Sequence, residues 1–243
     1  MKTIIIIPVY NEIKNIGGVI EDLNKYFNST DILIINDGSN DGICKLFPIL
    51  DINYIDIPIN VGYALALHTG YLYAYKNKYD YLIQFDGDGQ HIAKEALKLL
   101  KIAKESNADI IIGSRFKSPS GFKYTIPKRL VKFVFERLIN KITNNKLTDP
   151  TSGLQVLNKK VIRHYAEMEE FPDYTDANLI ITMLLNNFKV IEHNVSMKKR
   201  QKGISMHETI YGSMKYFIIN LYSISVIVIK ILINKIKIRS VKR

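Results

Sequence analysis

The stretch that decides the fold is Tyr81-Leu82-Ile83-Gln84-Phe85-Asp86-Gly87-Asp88-Gly89, a largely apolar run that stops at a turn of aspartates and glycines. The length of the run and its aromatic and branched residues predict a buried strand over Tyr79–Phe85. Two carboxylates follow where that strand ends, on glycines that permit a tight turn. A buried strand that ends in a polar turn is typical of a parallel sheet covered on both faces.

The segments on either side of this stretch alternate between strand-like and helix-like patterns. The predicted strands of the first half are Thr3–Pro8, Asp31–Asn36, Ile52–Ile57, Tyr79–Phe85 and Ala108–Gly113. The predicted helices between them are Lys14–Tyr26, Val61–Lys76 and Ala93–Ser106. Alternation at this spacing predicts an α/β fold, a Rossmann-like and mostly parallel sheet with helices on both faces. Such sheets bind ligands beyond the carboxyl ends of their strands, where Asp37, Asp86, Asp88 and Arg115 fall.

Composition restricts the class of protein. The chain has 243 residues, of which 47% are hydrophobic and 23% charged, which excludes wholesale disorder and a many-span membrane protein. Its single cysteine, Cys44, has no partner for an internal disulfide, which favours a reducing cytosol. Lys and Arg number 34 against 23 Asp and Glu, giving a net charge of +11. That excess points to an anionic partner, namely nucleic acid, a phosphate-bearing substrate or an anionic lipid.

The acidic pair after the fourth strand has three interpretations. Asp86 and Asp88 offer the hard oxygen ligands that suit Mg²⁺ or Mn²⁺, with a diphosphate completing the coordination shell. A solvated turn is the second, because Asp and Gly favour turns in any protein. A calcium EF-hand loop is the third, and it fails because its sixth position is His91 instead of Gly and its twelfth is Leu97 instead of Glu.

The C-terminal segment combines an apolar run with a basic tail. Tyr216–Ile229 contains no charged residue, and the tail after it contains no acid. After Lys230 and a short apolar stretch to Ile233, the basic residues of the tail are Lys235, Lys237, Arg239, Lys242 and Arg243. A membrane-spanning helix needs about 20 consecutive apolar residues. The apolar stretch, which resumes after Lys230 and continues to Ile233, falls slightly short of this and is interrupted by Asn220 and Lys230. An interfacial helix, a short span and a core helix all remain open, and the basic tail favours contact with an anionic leaflet.

Several short motifs, taken together in their order and spacing, resemble one family. In chain order they are Pro8-Val9-Tyr10-Asn11-Glu12, Asp37-Gly38-Ser39, Asn60-Val61-Gly62, Asp86-Gly87-Asp88-Gly89-Gln90-His91, Gly113-Ser114-Arg115, Asp149-Pro150-Thr151-Ser152-Gly153-Leu154 and Arg200-Gln201-Lys202-Gly203-Ile204-Ser205. The chain resembles the family 2 glycosyltransferases of the GT-A fold, above all the polyprenyl-phosphate (dolichol-phosphate) sugar synthases. The resemblance covers roughly residues 1–207, which we expect to form the catalytic domain, with 208–243 as a membrane-associated appendage.

The resemblance implies a reaction and its cofactor. The expected reaction is inverting transfer of a sugar from a nucleotide-diphosphate sugar to a lipid-linked acceptor, most simply a polyprenyl phosphate. A divalent metal, Mg²⁺ or Mn²⁺, is expected at Asp86 and Asp88. The sugar, the nucleotide and the natural acceptor are not identified by these motifs.

The donor site is expected to draw on several strand ends. In the family, the positions of Pro8, Tyr10 and Glu12 line the nucleotide, and that of Asp37 contacts its base or ribose. The small residue at Gly62 lets the nucleotide lie against the chain. Ordinary structural roles compete with each assignment, since Pro8 ends a strand, Glu12 precedes a helix and Asp37 lies at a turn.

The diphosphate and the acceptor are expected to meet a second set of residues. The resemblance implies that Asp88 binds the metal directly, while Asp86 holds the ribose or lies just outside the metal's own ligands. Gln90 and Arg115 would reach the diphosphate or the sugar, because the forked guanidinium suits phosphate. The motif that includes Ser152 and Gly153 would line the acceptor cleft, with an ordinary Pro-Gly turn as the alternative.

Two further residues are implied as catalytic. Asp176 aligns with the Glu of the family's Pro-Glu-Pro segment, although both prolines are missing here, and it would take the proton of a hydroxyl acceptor. A polyprenyl phosphate is already an oxyanion, in which case Asp176 would only position the acceptor; helix capping is the structural alternative. Arg200 lies in the basic run Lys198–Lys202, which resembles a lid that supplies positive charge to the leaving diphosphate.

Other classes of protein fit the sequence less well. We expect no nucleic-acid partner, because no Cys/His finger, recognition helix or aromatic RNA-binding strand is present. A P-loop and a dinucleotide-binding glycine motif are also missing from the sequence. A nucleotidyltransferase would have a glycine-rich loop with an arginine after its first strand, where Val9–Glu12 stands.

Two alternative functions stay open at this stage. The first is a glycosyltransferase that acts on a hydroxyl of a growing cell-surface glycan. The second is a non-catalytic basic protein that binds membranes or nucleic acid. The apolar run Ile4–Ile7 is too short for a signal peptide. Together with the basic tail, this predicts a cytoplasmic protein at the inner face of the cell membrane, bound to its anionic surface.

Overall fold

A computed structural model describes residues 1–116, 133, 137, 139–140, 146–169, 171–172, 175, 177–198, 222, 225–226 and 229. The strands of the described residues are β1 (Thr3–Val9), β2 (Ile32–Asp37), β3 (Asn53–Ile57), β4 (Tyr81–Gln84), β5 (Ile110–Ser114), β6 (Gln155–Asn158) and β7 (Val190–Asn194). The α-helices whose bounds are described are α1 (Ile13–Asn24), α2 (Phe47–Leu50), α3 (Tyr63–Lys76), α4 (Ala93–Glu105), α5 (Lys159–Ala166) and α6 (Ala177–Leu185), with short 3-10 turns at Ser29–Asp31 and Ile43–Leu46.

The strands form one sheet in the order β3-β2-β1-β4-β6-β5-β7. Neighbouring strands are parallel except at β6, which runs antiparallel to both β4 and β5. In the centre, Ile6 of β1 lies opposite Leu33 of β2 on one side and Gln84 of β4 on the other. The predicted α/β fold with a mostly parallel sheet is confirmed.

Helices cover both faces of the sheet because β1 is apolar at every successive position. Ile4 and Ile6 point into a core cluster shared with α3, α5 and α6. Ile5 and Ile7 point into a second cluster, shared with α1 and α4. All four isoleucines are at most 1% exposed, as expected for a strand buried between two layers of helices.

The second half of the sheet contains elements that the sequence pattern did not predict, namely β6, α5 and β7. The strand β6 is only four residues long and has polar residues, Gln155 and Asn158, at its two ends. Asn158 then caps α5 directly, its side chain accepting from the amides of Lys160 and Val161 at 3.0 and 3.2 Å. The change from strand to helix therefore takes place without the glycine or proline turn that marks element boundaries elsewhere.

The topology brings four strand ends to one edge. The strands β1, β2 and β4 are mutually parallel, and β5 has the same direction because the antiparallel β6 lies between β4 and β5. Asp37 is the last residue of β2, and Tyr10, Asp86 and Arg115 follow β1, β4 and β5 within two residues. This edge is the place where parallel α/β sheets bind their ligands.

The segment 208–243 lies largely outside the described residues. Of this segment the structure describes Tyr222, Ser225, Val226 and Ile229, which are helical; Tyr222 and Ile229 are 69% and 54% exposed. Within the described part of the chain, every helix is too short or too polar to cross a bilayer. The predicted domain boundary at residue 207 and the membrane association of 208–243 stay predictions.

Candidate functional site

The turn after β4 carries the acidic pair. Gly87 packs against the end of β1, where a Cβ atom would lie 2.7 Å from Val9 Cγ1, and Gly89 has a positive φ of 78°. Glycine is therefore favoured at both positions, by close packing at Gly87 and by the backbone conformation at Gly89. The half-buried Asp88 accepts a hydrogen bond from the Gln90 amide at 3.0 Å, which shapes the turn. Asp86 and Asp88 thus stand on a rigid turn at the carboxyl edge of the sheet.

The side chain of Asp86 lies between a tyrosine and a histidine. The Tyr63 hydroxyl donates to Oδ1 of Asp86 at 2.8 Å, and Nε2 of His91 lies 3.4 Å from Oδ2. His91 is 3% exposed, and its Nδ1 accepts the Asp86 amide at 3.1 Å. Since Nδ1 is an acceptor, the proton of the neutral ring is assigned to Nε2, which faces the carboxylate. Asp86 is therefore flanked on both sides, by the Tyr63 hydroxyl that donates to it and by the His91 ring that lies against it.

A chain of hydrogen bonds links Asp86 to the core. Nε2 of Gln84 donates to the Tyr63 oxygen at 3.2 Å, and Oε1 of Gln84 accepts from the Tyr71 hydroxyl at 2.8 Å. Burial raises the pKa of Tyr71 well above its ordinary value, so this hydroxyl stays protonated and donates. The sequence motifs did not indicate Tyr63, Tyr71 or Gln84 as parts of the site. Gln84 was the available signal, because it is a polar residue inside an otherwise apolar strand.

Asp37, at the end of β2, holds the loop that leads into α3. Its Oδ1 accepts the Val61 amide at 2.7 Å, and its Oδ2 accepts the Gly62 amide and the Asn60 side chain, each at 2.9 Å. Asp37 is 3% exposed. The next residue, Gly38, lies so close to the Ile59–Asn60 backbone that a Cβ atom would overlap it. The structure gives Asp37 and Gly62 a shared role in loop geometry, and their predicted contact with a nucleotide stays a prediction.

The turn after β1 presents the first predicted motif. Pro8 lies within β1 opposite Ile35, and Tyr10 is 48% exposed at the edge of the sheet. Glu12 precedes α1 and accepts from the Asn15 side chain at 2.5 Å. The amide of Ile13 is capped by Asp41 from the neighbouring turn at 2.8 Å. This hydrogen bond joins the turns that follow β1 and β2. Tyr10 is an exposed aromatic side chain in the first of these turns.

Arg115 lies at the end of β5 and pairs with Asp149. Its Nε and one terminal nitrogen lie 2.7 Å from the two carboxylate oxygens, and its backbone amide donates to Oδ2 at 2.9 Å. Asp149 is 1% exposed, so this is a buried bidentate ion pair. Sequence analysis expected Arg115 at the diphosphate or the sugar. The structure pairs its guanidinium with Asp149, the first residue of the predicted acceptor segment, and the contact with diphosphate or sugar stays a prediction.

The acceptor segment, residues 149–153, meets the acidic turn directly. Ser152 is 2% exposed, and its hydroxyl donates to the Gly113 carbonyl at 2.6 Å. Gly153 lies against Asp86, whose Oδ2 would overlap any Cβ atom at this position. The predicted residues Asp86, Ser152 and Gly153 are therefore brought together at one place.

Glu192 of β7 binds the start of the acceptor segment. No sequence motif indicated this residue. Its carboxylate accepts the amides of Thr148 and Asp149 at 2.8 and 2.6 Å and the Thr148 hydroxyl at 2.9 Å. Burial raises the pKa of Glu192, although the hydrogen bonds from Thr148 and Asp149 oppose that shift. Because β7 itself was not predicted, no pattern in the sequence indicated this buried acid.

The two residues predicted as catalytic, Asp176 and Arg200, lie outside the described residues. Lys198, the last described residue before Arg200, lies beside the acidic turn. Its amide donates to the Gln90 carbonyl at 2.8 Å, and its Nζ lies 3.3 Å from the carboxylate of Asp22 on α1. The basic run that begins at Lys198 thus starts next to Gln90.

The donor set of the acidic turn suits a hard divalent cation. In the part of the chain that the structure describes, no group of three or more His, Cys, Asp and Glu side chains is arranged to hold a metal ion. Asp86 and Asp88 supply two carboxylates at a rigid turn. Mg²⁺ commonly binds through one or two carboxylates and takes its other ligands from water and substrate phosphates. The residues present therefore fit a metal that is shared with a diphosphate.

Comparisons with known proteins agree with this geometry. Residues 4–166 match the family described as Glycosyl transferase family 2. A UDP-N-acetylglucosamine–dolichyl-phosphate N-acetylglucosaminyltransferase of Methanococcus voltae is 28% identical over 67% of this chain and 72% of its own. A polyprenol monophosphomannose synthase of Mycolicibacterium smegmatis is 26% identical over 84% of this chain and 80% of its own.

A solved structure shares the fold. The glucosyl-3-phosphoglycerate synthase of Mycobacterium tuberculosis, crystallised with Mn²⁺, UDP and glucosyl-3-phosphoglycerate, superposes with a TM-score of 0.69. It covers 92% of this chain and 80% of its own at 14% identity, a likeness that concerns the fold alone. The predicted GT-A fold and the family resemblance are confirmed. This chain belongs to glycosyl transferase family 2.

Proposed function

We propose that this glycosyltransferase moves a sugar from a nucleotide-diphosphate sugar to a polyprenyl phosphate, with inversion at the anomeric carbon. The observation that carries the proposal is the rigid Asp86-Gly87-Asp88 turn at the carboxyl edge of the sheet, in contact with the acceptor segment through Gly153. The M. voltae relative is named for transfer to dolichyl phosphate and the M. smegmatis relative for synthesis of polyprenol monophosphomannose, and both names support a lipid-phosphate acceptor.

Asp88, assisted by Asp86, is proposed to hold Mg²⁺ or Mn²⁺ together with the donor diphosphate. The ion would offset the negative charge that develops on the leaving nucleotide diphosphate. The crystallised M. tuberculosis enzyme, which contains Mn²⁺ and UDP, supports a divalent cation. Tyr63 and His91 would keep the Asp86 carboxylate aimed at the substrate from its two sides.

The transfer itself needs little proton chemistry when the acceptor is a phosphate. An oxygen of the acceptor phosphate forms the new bond to the anomeric carbon while the bond to the nucleotide diphosphate breaks, and the electron pair leaves on the diphosphate. The acceptor is already ionised, so Asp176 is proposed to position it instead of acting as a strong base. Arg200 and its basic neighbours are proposed to stabilise the charge on the leaving diphosphate.

Membrane contact is proposed for the segment 208–243. Its uncharged run Tyr216–Ile229 and the five basic residues after Ile233 suit the surface of an anionic leaflet, where each basic residue contributes about 1 kcal/mol. Removal of the chain from Tyr216 onward should release the protein from phosphatidylglycerol vesicles while hydrolysis of the donor persists. A truncated protein that stays active and still sediments with vesicles would place membrane contact elsewhere.

A donor panel tests the proposed reaction. The full chain is incubated with Mg²⁺ or Mn²⁺, undecaprenyl or dolichyl phosphate in detergent, and UDP-N-acetylglucosamine, UDP-glucose or GDP-mannose. Mass spectrometry should detect a polyprenyl-phosphate sugar with at least one donor, and its formation should stop on addition of EDTA. Transfer only to added glycan hydroxyls would instead support the hydroxyl-acceptor alternative.

A further inference from the structure

Three charged residues far apart in sequence form one buried cluster beside the acidic turn. We propose that Arg115, Asp149 and Glu192, called the clamp from here on, position Asp86 through the segment 149–153. Arg115 is thereby a positioning residue that acts through Asp149, in contrast to a direct ligand of substrate phosphate. The structural part of this inference stands alone, and its kinetic part rests on the proposed function.

The Arg115–Asp149 pair has the geometry of a fixed support. Asp149 receives three hydrogen bonds from Arg115, two from the guanidinium at 2.7 Å and one from the backbone amide at 2.9 Å. The side chain of Arg115 is 16% exposed and that of Asp149 is 1% exposed. Turning these guanidinium nitrogens toward a substrate phosphate would leave a buried carboxylate without its counter-ion, which is strongly unfavourable.

Glu192 holds the same segment from β7. Its two carboxylate oxygens accept hydrogen bonds from the successive backbone amides of Thr148 and Asp149. The backbone at Asp149 is therefore attached to β7. The Ser114 and Thr148 hydroxyls lie 2.9 Å apart, which links this contact to the end of β5. The start of the segment is therefore attached to both β5 and β7.

The other end of the segment transmits this position to Asp86. Ser152 is bound to the Gly113 carbonyl, and its own carbonyl accepts Nε2 of Gln155 at 2.9 Å. Gly153 then lies in van der Waals contact with the Asp86 carboxylate, with no room for a side chain. A shift of the segment toward the acidic turn must displace Asp86, and a displacement of about 1 Å at a reacting centre can cost about 10²-fold in rate.

Hydrogen exchange on the full chain tests the clamp without any substrate. The variants are Arg115→Lys, which loses the bidentate fork, and Glu192→Gln, which leaves the Arg115–Asp149 pair in place. Arg163→Lys is the matched control, since Arg163 pairs with Glu167 at 3.0 Å on an exposed helix surface. We expect both clamp variants to speed exchange of the Thr148, Asp149 and Ser152 amides at least about tenfold, and the control to leave it unchanged.

Two outcomes would overturn the clamp. If these amides exchange at the wild-type rate in both clamp variants, the ion pair and Glu192 do not hold the segment. The Arg115→Lys result is used only if that variant keeps a cooperative melting transition; otherwise Glu192→Gln alone decides the test. Exchange that rises throughout the chain in Glu192→Gln would contradict a local role.

Kinetics with the donor found by the panel separate positioning from phosphate binding. If Arg115 positions Asp86, Arg115→Lys should lower kcat at least about tenfold while the donor KM changes less than about threefold. Asp149→Asn should have a similar effect, and the double variant should be hardly worse than either single one. A raised donor KM with unchanged kcat, or additive losses, would make Arg115 a phosphate ligand. If hydrogen exchange shows no role for the clamp, the proposed transfer reaction is unaffected. If the donor panel shows no transfer, the exchange experiment still tests the clamp.

Discussion

The turns after β2 and β4 lie at the same edge of the sheet, yet their aspartates have different surroundings. Asp37 is buried, and its oxygens are occupied by the backbone amides of Val61 and Gly62 and by the side chain of Asn60. Asp86 instead contacts the side chains of Tyr63 and His91 and the bare Cα of Gly153. The first aspartate stabilises a loop, whereas the second is held at a junction of three chain segments.

We propose that this difference separates a residue that supports the site, Asp37, from one that takes part in binding the metal and the donor, Asp86. Backbone amides that saturate a carboxylate keep the loop in place but leave it little capacity for further ligands. Side chains that orient a carboxylate on a rigid turn preorganise it for an incoming charge without reorganisation during the reaction. We therefore expect substitutions at the β4 turn to affect turnover and substitutions at the β2 turn to affect stability and donor binding.

The largest effect is expected for Asp88→Asn. The amide oxygen of the variant can still accept from Gln90, so the turn should persist while the negative charge for the metal is lost. Transfer should fall by about 10³-fold or more, with little change in Tm. Asp51→Asn, at an exposed left-handed position that asparagine tolerates, is the control and should keep full activity. Retention of transfer by Asp88→Asn would remove the β4 turn from the reaction.

Gly153→Ala should have the next largest effect. The new methyl group would overlap Oδ2 of Asp86 and displace the carboxylate, which should cost about 10²-fold in kcat. Gly18→Ala on α1 is the matched control, because nothing lies within 4 Å of its added methyl group. That control should raise helix stability by about 0.5–1 kcal/mol without affecting transfer. Equal turnover in both variants would show that the Asp86–Gly153 contact is unimportant.

Tyr63→Phe should have a moderate effect. It removes the hydroxyl that joins Gln84 to Asp86 but keeps the ring on α3. We expect kcat to fall by about tenfold, because one of two groups that orient Asp86 is lost and a buried amide of Gln84 loses its partner. Tyr73→Phe on the same helix, packed at the apolar core, is the control. A loss confined to Tm would assign the hydroxyl to stability alone.

The smallest effect on turnover is expected for Asp37→Asn. One amide donor of the 60–62 loop would lose its acceptor, which should lower the free energy of unfolding by about 1–3 kcal/mol. The donor KM should rise, while kcat stays within about threefold of wild type. Denaturant titration and steady-state kinetics measure the two quantities. If kcat of Asp37→Asn is as low as that of Asp88→Asn, the β2 and β4 turns contribute equally to turnover and the proposed difference between them is wrong.

Most of the first half of the fold was predictable because strand-like and helix-like patterns alternate there and end at polar turns, although the short helix α2 was not predicted. The strand β1 (Thr3–Val9) and the helix α3 (Tyr63–Lys76) lie within two residues of their predicted bounds, Thr3–Pro8 and Val61–Lys76. Polar turns mark their ends. The second half was not predictable in the same way. There, β6 is short, α5 follows it without a turn residue, and the antiparallel insertion between β4 and β5 depends on tertiary packing.

The candidate site shows the same division. Asp86 and Asp88 carry a local signature, since two acids and two glycines at a strand end are visible in the sequence. Tyr63, Glu192 and the partner of Arg115 are defined by contacts between residues 23 to 44 positions apart. No local pattern encodes such contacts, so the family resemblance supplied a substrate role for Arg115 while the structure shows its ion pair with Asp149.

The most direct test of the central claim is Mn²⁺ binding, measured by electron paramagnetic resonance with and without UDP, GDP or dTDP. The claim is that the β4 turn holds the metal together with a nucleotide diphosphate, and that the β2 turn only supports it. We expect one of the nucleotides to tighten Mn²⁺ binding at least about tenfold in the wild type and in Asp37→Asn, and not in Asp88→Asn. Nucleotide-dependent Mn²⁺ binding that survives in Asp88→Asn, or its absence from the wild type with all three nucleotides, would contradict the claim.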